Sequence, residues 1–496
     1  MRFLVRLAAL AGALVLVPAT TASAATLIAS DTSTDSTGSL GQHATIVEPD
    51  NFSAGATTVF AAQAGRVFDG GSNAIAWATT TNNGGAFASG LLPGITPSAG
   101  GGTFDRATDP SVAFDARHNV WMVSTLALTN GASGPTGTAV LTSRSTNGGL
   151  TWGNPVTTAA AGRRNDFDKN WIACDNTTTS PFYGSCYTQF DDFGNGNALK
   201  MYYSRDGGLT WTASKVPRVS VIGGQPLVLP NGNVVVPLDN GSSTALGYTV
   251  STNGGAKFGQ AFSITSISAA TDPGNIRSGA LPTAEIAGDG TIFVAWEDCR
   301  FRAGCPAANT PNDIVYTTST NGTTWTAVKR VPIDAVTSTV DHFLPGIAVD
   351  RATSGANIHV GLVYYSYPNS TCSFATCTLN VGFVSSVNGG ATWSNTPMAL
   401  AGPMTMSWLP NTSQGRMVGD YMSASFGSNG SVHPAYVVAS APTAGGPDCQ
   451  AATPHCVQGL YTDTLAATGG SASAAADTVQ FTGAVQHGAS AFTRKR

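Results

Sequence analysis

The sequence predicts an all-β fold, a β-propeller of four-stranded antiparallel blades. Three observations carry that expectation. A turn motif recurs: Ser145-Thr-Asn-Gly-Gly-Leu-Thr-Trp152, Ser204-Arg-Asp-Gly-Gly-Leu-Thr-Trp211 and Ser386-Val-Asn-Gly-Gly-Ala-Thr-Trp393, with looser copies at 251–258, 319–325 and 81–87. From Ser145 onward, successive copies start between 47 residues (Ser204 to Ser251) and 68 residues (Ser251 to Ser319) apart, room for one small sheet each. Short alternating apolar runs precede the copies, the period of half-buried strands. The composition agrees: only 10% of residues are charged and 58 are glycine, which favours turns and strands over helices.

Residues 1–24 read as a secretory signal. Arg2 and Arg6 give a basic start, 7–17 is apolar, and Ala22-Ser23-Ala24 is a small-residue cleavage pattern. That run is too short for a membrane span, and no later stretch has eighteen uninterrupted apolar residues, so a soluble, secreted protein is expected. The propeller is expected over 25–466. Its units are a degenerate first at 43–62, then strand pairs at 109–115 with 120–123, 170–174 with 185–188, and 225–229 with 234–237. Next come 282–286 with 292–296, 343–349 with 360–364, and 422–426 with 434–438, the last without a turn motif. Seven blades are favoured over six. Residues 467–496 read as a Gly/Ser/Ala-rich tail, with a closing strand near Val479 as the alternative.

In the recurrent turn, Asn or Asp can bond its own backbone and the glycines supply positive φ, while the aromatic packs across strands. The frame S-x-[DN]-x-G-x-[TS]-W resembles the Asp box of the sialidase superfamily and its bacterial neuraminidase repeats. The resemblance implies a six-bladed propeller, a site on the face opposite the boxes, and hydrolysis of sialic acid or another acidic glycan. It also implies three arginines clamping a carboxylate, a tyrosine nucleophile assisted by a glutamate, and an aspartate acid/base.

In a propeller, loops entering inner strands and leaving second strands gather at the face opposite the turns. Here they bring Asp109, Asp168, Lys169, Gln225, Arg277, Glu297, Asp298, Arg300, Asp341, His342, Arg416, Asp420 and Tyr421. So many charges at one face of a charge-poor chain mark a candidate site. The resemblance assigns Tyr421 as nucleophile, Asp168, Asp341 and Glu297 to proton handling, and Arg277, Arg300 and Arg416 to the clamp. The remaining residues would contact substrate. The chain departs from the family in three places. Arg66-Val-Phe is the nearest counterpart of the Arg-Ile-Pro motif, Trp296 stands where a clamp arginine belongs, and Ala280 replaces an expected glutamate. Taken singly, an Asp before a strand can satisfy turn amides, and Arg300 can pair with Asp298.

Two further readings stay open: a lyase acting on uronate glycans through Tyr421 or His342, with Lys169 neutralising charge, and a non-catalytic propeller binding glycan or protein. The eight cysteines fall into near neighbours, 174/186, 299/305, 372/377 and 449/456, and four local bridges are the simplest pairing. Their spacing does not suit zinc, and no metal or cofactor is expected. The run 191–197 faintly suggests a structural calcium loop but lacks the distal glutamate of an EF-hand, and a plain turn explains it better. A net charge of −4 without a basic stripe excludes nucleic acid. A monomer acting on a glycan is expected.

Overall fold

A computed structural model describes residues 25–33, 40–442, 446–449, 455–473 and 475–476. The expected signal segment and the strand expected near Val479 lie outside them. Apart from three single-turn 3-10 helices, the described elements are all strands, arranged as a propeller of small antiparallel sheets.

Five sheets stand alone with four or five strands each. One is Phe167–Cys174, Cys186–Asp192, Ala198–Ser204 and Thr212–Ala213. The next three are centred on Val234–Asn240, Ile292–Asp298 and Val360–Tyr367. The fifth takes Ser423–Phe426, Ser431–Ser440 and Val457–Thr462 and is completed by the N-terminal strand Thr26–Ser30. Neither seven nor six separate blades are therefore observed. The reason is that the strands from Ile46–Ala54 to Val156–Ala160 form one eight-stranded sheet, whose halves meet at the single pair Ser72↔Ala107. The propeller also runs past residue 466, because Ala472–Ser473 and Ala475–Ala476 pair with Thr392–Trp393 and Lys329–Arg330.

Two of the recurrent turns share one full hydrogen-bond set. Gly149 N donates to Ser145 Oγ at 3.0 Å, Thr151 N to Asn147 Oδ1 at 3.1 Å, and the Trp152 indole to Gly149 O at 3.0 Å. Gly390, Thr392 and Trp393 repeat it around Ser386 and Asn388. Gly148 and Gly149 both sit at φ 79°, which requires glycine. Apolar cores fill the spaces between neighbouring sheets. One packs Phe293, Ile314 and Tyr316 against Ile347, Leu362 and Trp393. Four disulfides, Cys174–Cys186, Cys299–Cys305, Cys372–Cys377 and Cys449–Cys456, staple nearby loops. Among the described residues no helix is long and apolar enough to cross a membrane.

The inner strands surround an axis: one narrow cavity is lined by Asp50, Val112, Trp171, Leu227 and Ala284 from successive units. Four inner strands carry the same irregularity. Pairing slips after Val47, Thr108, Asp168 and Phe343, and the next residue takes positive φ: Glu48 54°, Asp109 49°, Lys169 51° and Leu344 47°. Each such non-glycine residue costs about 1 kcal/mol or more, and strain of this kind concentrates at functional sites. Three of the four are charged.

Candidate functional site

The bulges gather Glu48, Asp109 and Lys169 at the axis. Lys169 carries the geometry. Its backbone N–H donates to Asp109 Oδ2 at 3.1 Å and to Asp168 Oδ1 at 3.0 Å, so both carboxyl groups converge on one amide. Its ammonium bonds Asp420 and lies 3.9 Å from Glu48 Oε1. Arg277 grips Asp420 from the other side, Nε to Oδ1 at 2.6 Å and Nη2 to Oδ2. Gln63 links the group to the neighbouring strand: its amide donates to Glu48 and, at 2.8 Å, to Thr108, while its carbonyl accepts from Arg66 at 3.0 Å.

Burial makes these charges interdependent. Burial alone would raise Asp420, but Arg277 and Lys169 hold it well below the usual carboxylate range. Lys169 is held above its ordinary value because Asp420, Asp109 and Glu48 outweigh burial. Asp168, with burial and Asp109 against it, is pushed up to about 6. Burial and Asp109 also raise Glu48, and burial with Asp168 raises Asp191. One site thus holds an ionised carboxylate beside one that titrates near neutrality, the contrast from which acid and base roles are built.

Tyr421 borders this cluster, edge-on to Trp171 at 5.2 Å. Its hydroxyl donates to Pro110 O at 3.0 Å, and burial with Glu48, Asp109 and Asp50 holds the phenol well above its usual range. Gln225 lies nearby, where its side-chain oxygen accepts from Ala284 N at 2.7 Å. A cavity of about 20 Å³ lies among Lys169, Trp171, Gln225 and Tyr421. That is room for one water or one ligand group. Larger spaces lie elsewhere: about 450 Å³ along 195–220, and about 400 Å³ between Phe52, Phe114, Phe426 and Arg351.

The other sequence candidates do not join this cluster. Glu297 and Asp341 form a second group with Asp272, in which Glu297 accepts from Leu344 N at 3.0 Å and Asp341 from Asn312 N at 2.6 Å. Arg300 is tied to Asp298 (2.7 Å) and Thr265 (3.2 Å), and Asp298 also accepts from the Trp296 indole at 3.1 Å. Arg416 bonds Leu409 O at 2.7 Å and Asp448 at 2.8 Å. Of the three arginines expected to clamp a carboxylate, each answers a different internal acidic side chain: Arg277 bonds Asp420, Arg300 Asp298 and Arg416 Asp448.

His342 packs edge-on to Tyr364, and burial lowers it to about 4, so it is neutral. With Asp313 and Asp334 it forms a group whose ligand-capable atoms lie within 4.8 Å of one another. Arg302 and Arg330 already neutralise those carboxylates, at 2.6 and 2.8 Å from Asp313. In the 191–197 loop, Asp192 accepts from Asn195 at 2.7 Å and pairs with Lys200 at 3.3 Å, as in a turn, whereas the buried carboxylate oxygens of Asp191 have no hydrogen-bond partner among the described residues.

Sequence reasoning missed Glu48, Gln63, Asp272 and the role of Arg66. Glu48-Pro49 and Asp109-Pro110 share an acid-proline pair at the same strand position, a signal that could have found Glu48. Arg66 is buried at the end of Thr57–Arg66, where burial and Arg277 lower its pKa while Glu48 and Asp420 act to raise it.

No protein-family model and no curated protein matches the chain. Several solved structures are similar. A Dyadobacter fermentans protein of unknown function shares 14% identity at TM-score 0.46, over 70% of this chain and 98% of its own. The leech intramolecular trans-sialidase shares 11% at 0.44, over 66% of each chain. Trypanosoma rangeli sialidase, in complex with sialic acid, shares 10% at 0.43, over 88% and 90%.

Proposed function

We propose that the protein is a secreted, sialidase-like glycoside hydrolase that acts on a sialylated or other acidic glycan at the axial cluster. The observation that carries this reading is the carboxyl pair Asp109 and Asp168 on the Lys169 amide, with Asp168 raised to about 6. A carboxyl that keeps its proton near neutrality can protonate a leaving glycosidic oxygen, and a second carboxyl beside it can serve as base or nucleophile. Arg66 and Arg277 place guanidinium groups within reach of an acidic substituent. Because the cavity holds one small group, the sugar would lie across the mouth and insert a single substituent.

Tyr421 fits the nucleophile role less well, since forming a phenolate there opposes burial and the surrounding carboxylates. A second reading, a glycan-binding propeller without turnover, is favoured by Asp420. Its carboxylate already occupies the Arg277 fork that a substrate carboxylate would use.

The test is sugar release from sialosides, other exo-glycosides and uronate polysaccharides, read by reducing ends and by ultraviolet absorbance. Turnover is expected to fall at least about a hundredfold in Asp168→Asn, with glycan affinity retained. Loss in Tyr421→Phe but not in Asp168→Asn would transfer the chemistry to the tyrosine. An absorbing unsaturated product would indicate a lyase. Silence with retained binding would establish the second reading.

A further inference from the structure

The inner strands that hold charge at one end of the axis present aromatic rings at the other. Phe52 lies near the end of Ile46–Ala54, Phe114 near the end of Arg106–Asp115, and Phe426 closes Ser423–Phe426. All three line the cavity of about 400 Å³, together with Glu285 and Arg351. Phe52 follows Glu48, and Phe114 follows Asp109, by four or five residues. At about 3.3 Å per residue, the cavity lies roughly 15 Å along the axis from the charged cluster. It is at the end that carries the recurrent turns: Asn83 N, in one of them, donates at 2.9 Å to Ala56 O, next to the lining residue Gly55.

The walls of this mouth are fixed. Phe52 and Phe114 are backed by one apolar core and Phe426 by another. Ser53 Oγ and Ser425 Oγ bond at 2.7 Å, and Ser428 N donates to Gly55 O at 2.9 Å, so the first and last units share a rim. The Asn176 amide is engaged by Ala116 N and Phe114 O, both at 2.8 Å. One polar pair keeps spare capacity. Arg351 lies 4.9 Å from the Phe52 ring centre and gives Nη2 to Glu285 Oε2 at 3.1 Å. Its Nε and Nη1, and Oε1 of Glu285, bond no other group among the described residues, and the Arg351 side chain is 40% exposed.

This lining selects among ligands. An open acceptor beside open donors suits neighbouring hydroxyl groups, each of which both donates and accepts. Aromatic walls suit the apolar C–H face of a sugar ring. The volume falls within the range of about 300–1,000 Å³ found for small-molecule sites. Glu285 and Asp350 outnumber Arg351, the one cation among the described lining residues, which disfavours a carboxylate. We infer that the mouth on the turn side is a second ligand site, which binds a neutral hexopyranose against Phe114 and Phe426 with its hydroxyls on Glu285 and Arg351. The site is independent of whatever chemistry the axial cluster performs.

The test is saturation-transfer NMR and calorimetric titration of the intact protein. The probes are methyl glucoside, methyl galactoside and methyl mannoside, with methyl glucuronide as the charged counterpart. At least one neutral hexoside is expected to bind with a dissociation constant of about 1 mM, as roughly a dozen non-hydrogen atoms do at ordinary ligand efficiency. The glucuronide is expected to bind at least about fivefold more weakly, and Glu285→Gln to narrow that gap. Phe426→Ala should weaken the hexoside at least about tenfold. Ala352→Trp fills the mouth from an exposed lining position and should abolish binding, whereas Asp168→Asn, at the axial cluster, should leave it unchanged. No saturable hexoside binding up to about 50 mM overturns the site. So does binding that survives Ala352→Trp, binding lost in Asp168→Asn, or tighter binding of the glucuronide. If Phe426→Ala fails to fold, the comparison of Ala352→Trp with Asp168→Asn decides alone.

Discussion

Two buried carboxylate clusters solve the same problem differently. Around Asp420 the buried negative charge is answered by cations: Lys169 and Arg277 both bond it, and the group is held ionised. Around Asp341, among the described residues, no cation is hydrogen-bonded to the carboxyl, which accepts the Asn312 N–H at 2.6 Å, and burial with Asp272 raises it to about 9, so it keeps its proton at neutral pH. Burial is comparable at the two sites, so burial alone does not decide whether an aspartate is charged. The partner within hydrogen-bond reach does. The consequence is an opposite dependence on pH. Asp420, whose native pKa is depressed, contributes stability above the unfolded value near 4 and loses it as the pH falls lower. Asp341, whose native pKa is raised, favours the folded state least once the pH has risen towards 9.

The largest expected effect comes from breaking the cationic site. Lys169→Met keeps the length of the stem and removes the charge, leaving Asp420 with Arg277 alone and Glu48 and Asp109 facing it unopposed. A loss of roughly 3–5 kcal/mol is expected in urea unfolding at pH 7. A change under about 1 kcal/mol would show that Arg277 alone suffices.

A smaller effect separates the two clusters by pH. Between pH 5 and 9 the native protein binds protons that the unfolded chain has released, because Asp341, Asp239 (raised to about 8 by burial) and Asp50 (raised to about 7 by burial) keep theirs. Unfolding free energy should therefore fall across this range, each group contributing up to about 1.4 kcal/mol per pH unit. Asp341→Asn should reduce the slope by one such contribution and leave the acid limb of Asp420 in place. A parallel curve would place the proton elsewhere.

The smallest effect is a control remote from both clusters. Ser386→Ala deletes the acceptor that Gly390 N reaches at 3.0 Å and should cost about 1 kcal/mol with no pH dependence. A pH-dependent loss would mean that the turns and the axial charges are coupled.

Much of the scaffold was legible in the sequence because turns are local. The serine, the Asn or Asp and the glycines of each recurrent motif lie within five residues, and their bonds need no distant partner. The cysteine neighbours paired for the same reason. Ring closure was not legible, since the pairing of Thr26–Ser30 with Val457–Thr462 joins segments with no shared pattern. The candidate face was half legible. Topology correctly brought Asp109, Asp168, Lys169, Arg277, Asp420 and Tyr421 together, but it could not tell which neighbours would neutralise which. Arg300 shows this: its attachment to Asp298 depends on side-chain reach, and the spacing of the two residues in sequence served both readings. Asp272 carried no motif, and became visible only through Asn312.

The N-terminal strand is the first part of the described chain, yet it sits in the sheet completed by the last long strand. Sheets that each touch only their neighbours could melt one at a time, as an open stack does. Fastening Thr26–Ser30 to Val457–Thr462 removes both free ends of the array. Any sheet that opens must then break two seams instead of one. Fraying has no place to begin, and the units share a single cooperative transition. Deleting 26–30 should expose the edge of Val457–Thr462 and weaken one side of the seam, while the bonds of Asn51 to His433 O and Ser53 to Ser425 still hold the first unit to the last.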